Sequence, residues 1–120
     1  MNHISGFIEG TPLSRNRSGA RKPGLQGWIE QVAKQTGALQ QVENACILRV
    51  TFFLADEAYR TAPPYGPDLD NLLKPFLDAL KKTVLQSQED AGIISIQATK
   101  ARAGPGQRPG ALLEIFPIIV

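Results

Sequence analysis

Hydrophobic residues recur along this chain with two different periods. Over residues 3–10, Ile4, Phe7 and Ile8 alternate weakly and Gly10-Thr11-Pro12 closes the run, which predicts a first strand. From Leu25 to about Gln40 the spacing is helical. Trp28, Ile29, Val32, Ala33 and Leu39 mark one face, and Gly37 predicts a frayed or ended last turn. Residues 45–55 are β-branched, aromatic and almost continuously apolar, the pattern of a buried central strand. A second helix is predicted from about Asp70 to Val84. At about 100° per residue, Leu73, Phe76, Leu77, Leu80 and Val84 share one arc, and Asp70, Lys74, Asp78 and Lys81 the other. Ile93, Ile94, Ile96 and Ala98 then give a strand leading to Lys100, residues 102–110 a Gly/Pro-rich hairpin connection, and residues 111–120 a last strand. Residues 14–24, 56–66 and 86–90 read as loops.

The expected fold is therefore α+β, with an α/β-like element order β-α-β-α-β-β. It is a mixed sheet of about four strands packed with two helices. At 120 residues the chain fits one domain, residues 1–120, and its 42% hydrophobic and 20% charged content is that of a globular protein. The net charge of +2 is mildly basic, which suits nucleic acid without requiring it. A single cysteine, Cys46, excludes an internal disulfide framework and a cysteine-rich zinc site; its strand position makes it a small core residue. A single histidine, His3, argues against histidine metal sites and histidine-based triads. With no apolar run near 18 residues and no charged-then-apolar leader, a cytoplasmic location is expected.

Chemistry must then run on carboxylates, Lys, Arg, Tyr, Ser or Thr, and residues 67–74 concentrate them. This segment, Pro-Asp-Leu-Asp-Asn-Leu-Leu-Lys, lies where a loop becomes a helix. Helix capping explains any one of its polar residues, and Asn71 is a candidate cap, but capping does not easily explain Asp68 and Asp70 together. Lys74 falls one turn beyond Asp70, where it either offsets charge on a phosphate or pairs with Asp70 or Asp78. Pro75 lacks a donor N–H, so regular helix is expected to start only near Asn71–Leu72 or to bend, leaving Asp68–Asp70 non-helical. A third acid would complete an all-oxygen site, and Glu89 and Asp90 both qualify. Such donors suit Mg²⁺ or Mn²⁺, the ions of phosphodiester chemistry. Arg15, Arg17, Arg21 and Lys22, on a loop with no acid, either follow a phosphate backbone or are simply solvated. Tyr65 either stacks on an exposed base or anchors its loop. Trp28 is expected in the core.

The run Asp68-Leu69-Asp70-Asn71-Leu72-Leu73-Lys74, followed by Leu77-Asp78-Ala79-Leu80, resembles the signature of the RusA family of Holliday-junction resolvases. Glu89-Asp90 stands where that family has an acidic pair, and Lys100 where a lysine closes the next strand. A weaker likeness runs through Pro12, Ser14, Asn16 and Arg17. The resemblance implies a Mg²⁺-dependent endonuclease (Mn²⁺ as an alternative) that acts as a homodimer on four-way DNA junctions, with no small-molecule cofactor and no membrane partner. It implies Asp68, Asp70 and Asp90 as metal-binding carboxylates and Lys74 as a catalytic lysine. DNA contacts are expected from Arg15, Asn16, Arg17, Arg21, Lys22, Tyr65, Lys100 and Arg102, with Arg108 a further phosphate contact. Two rival readings are a nuclease for other branched nucleic acids and a non-catalytic DNA-binding protein with a degenerate site.

Overall fold

Seven elements follow one another in a computed structural model that describes residues 3–15, 24–60, 65–86 and 92–118. They are β1 (Ile4–Glu9), α1 (Leu25–Thr36), β2 (Cys46–Leu54), α2 (Asp56–Arg60), α3 (Leu69–Leu80), β3 (Ile93–Arg102) and β4 (Gly110–Pro117). The strands form one mixed sheet in the order β1-β4-β2-β3. β4 runs antiparallel to both β1 and β2, whereas β2 and β3 are parallel. The α+β class and the element order match the expectation, with one correction and one addition. The Gly/Pro-rich stretch before β4 is not a hairpin connection, because β2 lies between β3 and β4 and pairs with both. The stretch expected as a loop after β2 contains α2, a single turn closed by the Arg60–Asp56 pair at 3.0 Å.

Packing explains where the other boundaries move. In β2, Cys46, Leu48, Val50, Phe52 and Leu54 are buried while Ile47 and Arg49 are exposed and Thr51 and Phe53 half-buried. β2 is thus central, but only one of its faces lies against helices. On that face Phe76 of α3 meets Phe52 edge-on, with ring centroids 5.3 Å apart, and stacks on Trp28 of α1 at 6.5 Å. Trp28 and Cys46 are core residues, as expected. The buried row of α3 is Leu72, Pro75, Phe76, Ala79 and Leu80, one position round from the predicted arc; Leu73 and Leu77 are only half-buried. Regular helix stops at Leu80, and turns carry Val84 and Leu85 into the core. The Thr36 and Thr83 hydroxyls, 2.7 Å apart, tie the end of α1 to these turns.

On the other sheet face polar and aromatic side chains are mixed. His3 stacks on Phe116 at 5.1 Å, and Arg49 lies over the same ring while reaching Glu114 at 3.6 Å. Strand β3 is a long edge on which Ile94 and Ile96 remain largely exposed. None of the helices among the described residues is long and apolar enough to cross a membrane.

The parallel β2–β3 pair fixes the position of α3. A crossover helix between parallel strands begins beside the strands' carboxyl ends, the side on which open α/β sheets build their sites. The start of α3 therefore lies near Leu54 and Arg102, the last residues of β2 and β3.

Candidate functional site

The loop leading into α3 is fixed at three consecutive residues. Tyr65 has a positive φ of 70°, a conformation costly for a residue with a side chain, and among the described residues it is the only non-glycine to do so. Its N–H donates to the Tyr59 carbonyl at 2.7 Å, and its ring meets that of Tyr59 edge-on at 5.8 Å. Gly66 follows with φ 80° and is buried; a Cβ there would stand 2.6 Å from Leu54 Cδ1, so any other residue needs both a left-handed backbone and a shift of the Leu54 tip. The carbonyl of Pro67 then accepts a hydrogen bond from Lys100 Nζ at 3.0 Å.

Asp68 occupies the position that caps α3, with φ −58° and ψ 140°, and its side chain makes no capping hydrogen bond. The Asp68 carbonyl accepts from the N–H groups of Asn71 and Leu72, each at 3.1 Å. Leu69 and Asp70 are already helical, which corrects the expected non-helical Asp68–Asp70 segment, and Asn71 lies inside the helix and does not cap it. Asp68, Asp70 and Lys74 are all exposed. Carboxylates at a helix N-terminus are favoured by the unpaired N–H groups of its first turn. No ion pair among the described residues joins Lys74 to Asp70 or Asp78. The ammonium is left accessible to a ligand.

Pro75 sits inside α3 without ending it. The missing N–H would have bonded the Asn71 carbonyl four residues back; Arg15 N–H takes that carbonyl instead, at 3.2 Å. The proline, which costs about 3 kcal/mol in an isolated helix interior, therefore creates an acceptor for the incoming chain. It brings Arg15, whose side chain is exposed, to the middle of the Asp-Leu-Asp-Asn-Leu-Leu-Lys motif.

The remaining expected site residues divide. Asn16, Arg17, Arg21, Lys22, Glu89 and Asp90 lie outside the described residues. Tyr65 is 64% exposed beside the motif, compatible with stacking on a base. Arg102 pairs with Asp56 at 3.4 Å with both side chains about half exposed, a contact weak enough to yield to a phosphate. Arg108 is engaged with Glu9 at 2.7 Å near the start of β4. Asp68 and Asp70 offer hard oxygen donors of the type a divalent cation prefers. Among the described residues, no three His, Cys, Asp or Glu side chains come together.

Two contacts were not foreseen, and only the second had a signal in the sequence. Lys100 faces the helix layer, in register with the fully buried Phe52, and a lysine at such a position needs a partner. Pro75 announced an unpaired carbonyl, and buried carbonyls find donors.

The family profile of endodeoxyribonuclease RusA matches residues 24–115. The match contains the whole Asp68–Lys74 motif, α3 and β3, and it begins after the N-terminal segment around Pro12–Arg17. No curated protein matches the chain. The carboxylate-bearing start of α3, the lysine one turn on and a match over most of the sequence agree: the chain belongs to the RusA family of endodeoxyribonucleases, enzymes that resolve Holliday junctions.

Proposed function

We propose that this protein is a Mg²⁺-dependent endodeoxyribonuclease that cuts four-way DNA junctions as a homodimer, in DNA recombination and repair and in the cytoplasm. The observation that carries the reading is the exposed start of α3, where Asp68 and Asp70 stand with an exposed Lys74 one turn on in a RusA-family chain. Asp68, Asp70 and Asp90 would hold the cation, with Mn²⁺ as a substitute. When bound, it supplies polarisation of the phosphate and a more acidic water. Water oxygen attacks phosphorus, the bond to the leaving sugar oxygen breaks, and that oxygen is protonated. Lys74 offsets the charge that grows on the phosphate oxygens. Tyr65 offers a ring to an unpaired base at the branch, and Arg15 with the basic residues that follow it engages the backbone. Two matched cuts need two sites, which a two-fold dimer supplies.

The test is cleavage of a synthetic four-way junction in Mg²⁺ by the wild type and by Asp70→Asn. The variant is expected to bind the junction and to lose at least a hundredfold in cleavage. Undiminished cleavage refutes the assignment. Linear duplex, flap and three-way substrates run beside it define which branched DNA is preferred.

A further inference from the structure

We propose that Lys100 is a positioning residue, holding the Tyr65–Pro67 turn so that Asp68 is correctly presented, and that it is not a phosphate contact. The inference deepens the nuclease reading and rests on it for the role of Asp68.

Lys100 and Lys74 are both lysines near the motif, but they differ in surroundings. Lys74 is exposed, whereas Lys100 is half-buried and projects from the helix-facing side of β3. The Lys100 ammonium donates to the Pro67 carbonyl, the last acceptor before Asp68. That carbonyl belongs to a turn under strain, because Tyr65, a residue with a side chain, keeps a positive φ. Strained backbone persists only where its surroundings over-determine it. Here α2 holds Tyr65 through Tyr59, Leu54 of β2 closes off the space beside Gly66, and β3 holds Pro67 through Lys100. Of these three, only the Lys100 bond acts on the peptide that joins directly to Asp68. It is also charge-assisted, the stronger kind of hydrogen bond. Removing it frees the peptide whose orientation sets the direction of the Asp68 side chain. Displacements of about 1 Å in a reacting constellation cost on the order of a hundredfold in rate.

The two roles predict different results for Lys100→Met, which keeps the stem and deletes the ammonium. A phosphate contact carries a salt signature: its loss lowers the slope of log K against log salt by about 0.9. A positioning lysine leaves that slope and the junction affinity within about twofold of wild type. We expect Lys100→Met to lower kcat ten- to a hundredfold with KM unchanged, and Lys100→Arg, which can still donate to the carbonyl, to recover at least a third of the lost rate on a logarithmic scale. We also expect the Tyr65 amide to exchange with solvent at least tenfold faster in Lys100→Met, a readout that needs neither DNA nor metal. Unchanged Tyr65 exchange overturns the proposal, and so does a slope reduced by about 0.9 with kcat intact. If the wild type cleaves no DNA, the nuclease reading fails by itself, while the exchange measurement still decides whether Lys100 holds the turn.

Discussion

Replacing Gly66 by alanine should cost much more stability than the same change at Gly106, although the two glycines have nearly the same backbone. Their φ angles are 80° and 78°. An alanine in this left-handed region costs about 1–2 kcal/mol at either site. The surroundings differ. A Cβ on Gly106 meets nothing within 4 Å, whereas a Cβ on Gly66 lies 2.6 Å from Leu54 Cδ1. Leu54 is a leucine with a rotatable tip, but it is only 2% exposed, so the tip has to shift within packed surroundings. Forcing a methyl into a packed site costs about 1–3 kcal/mol more. Gly66→Ala should therefore lose about 2–5 kcal/mol and Gly106→Ala about 1–2. In a domain of this size that corresponds to Tm decreases of roughly 8–20 °C and 4–8 °C. Urea denaturation followed by circular dichroism measures both. Because Gly66 lies two residues before Asp68, Gly66→Ala should also slow junction cleavage at temperatures where the variant is fully folded. Equal destabilisation of the two variants would refute the reasoning, since the contact with Leu54 would then contribute nothing.

Two further changes probe contacts described above. Pro75→Ala should leave stability within about 1 kcal/mol of wild type: the helix gains about 3 kcal/mol in propensity, offset by two buried methylenes at about 0.8 kcal/mol each and by a less restricted unfolded chain. In the same variant the Arg15 amide should exchange at least tenfold faster, because the Asn71 carbonyl acquires a helical donor; unaltered exchange counts against the Pro75–Arg15 link. Trp28→Phe should cost less than about 1.5 kcal/mol by urea titration, because the buried Trp28 Nε1 has no hydrogen-bond partner among the described residues and removing an unsatisfied donor recovers about 1–3 kcal/mol. A loss above about 3 kcal/mol would show that ring packing alone decides this position.

Much of the fold could be read from periodicity, because one-sided burial imprints a period on each element. Leu72, Phe76, Ala79 and Leu80 repeat at helical spacing because one face of α3 meets β2, and the arc was displaced by one residue only because periodicity does not say where the sheet lies. The alternation of β2 was hidden because its outward positions include Ile47 and Phe53, apolar residues on the uncovered sheet face. Helix α2 was not legible, since five residues carry no period and Asp56–Arg60 depends on a local ion pair. At the site, Asp68, Asp70 and Lys74 were conspicuous by spacing. The Lys100–Pro67 bond was not, because it joins residues 33 positions apart and appears only once β3 is set beside β2.

The strand order β1-β4-β2-β3 has a consequence for how the chain is made and cut. The strand formed last, β4, is an interior strand, and β1 pairs with nothing else in the sheet. A nascent chain that has not yet produced Gly110–Pro117 can pair β2 with β3 but cannot add β1, so the sheet is completed only after β4 has been made. Trimming the chain within β4 would remove the middle of the sheet, whereas trimming within β1 would remove an edge. The pairing of Ile4 with Ile115 also brings the two ends of the described chain side by side. Linking them through a short connector and opening the chain in the exposed Gly104–Arg108 turn would give a circular permutant that retains every strand pairing and leaves the Asp68–Lys74 turn untouched.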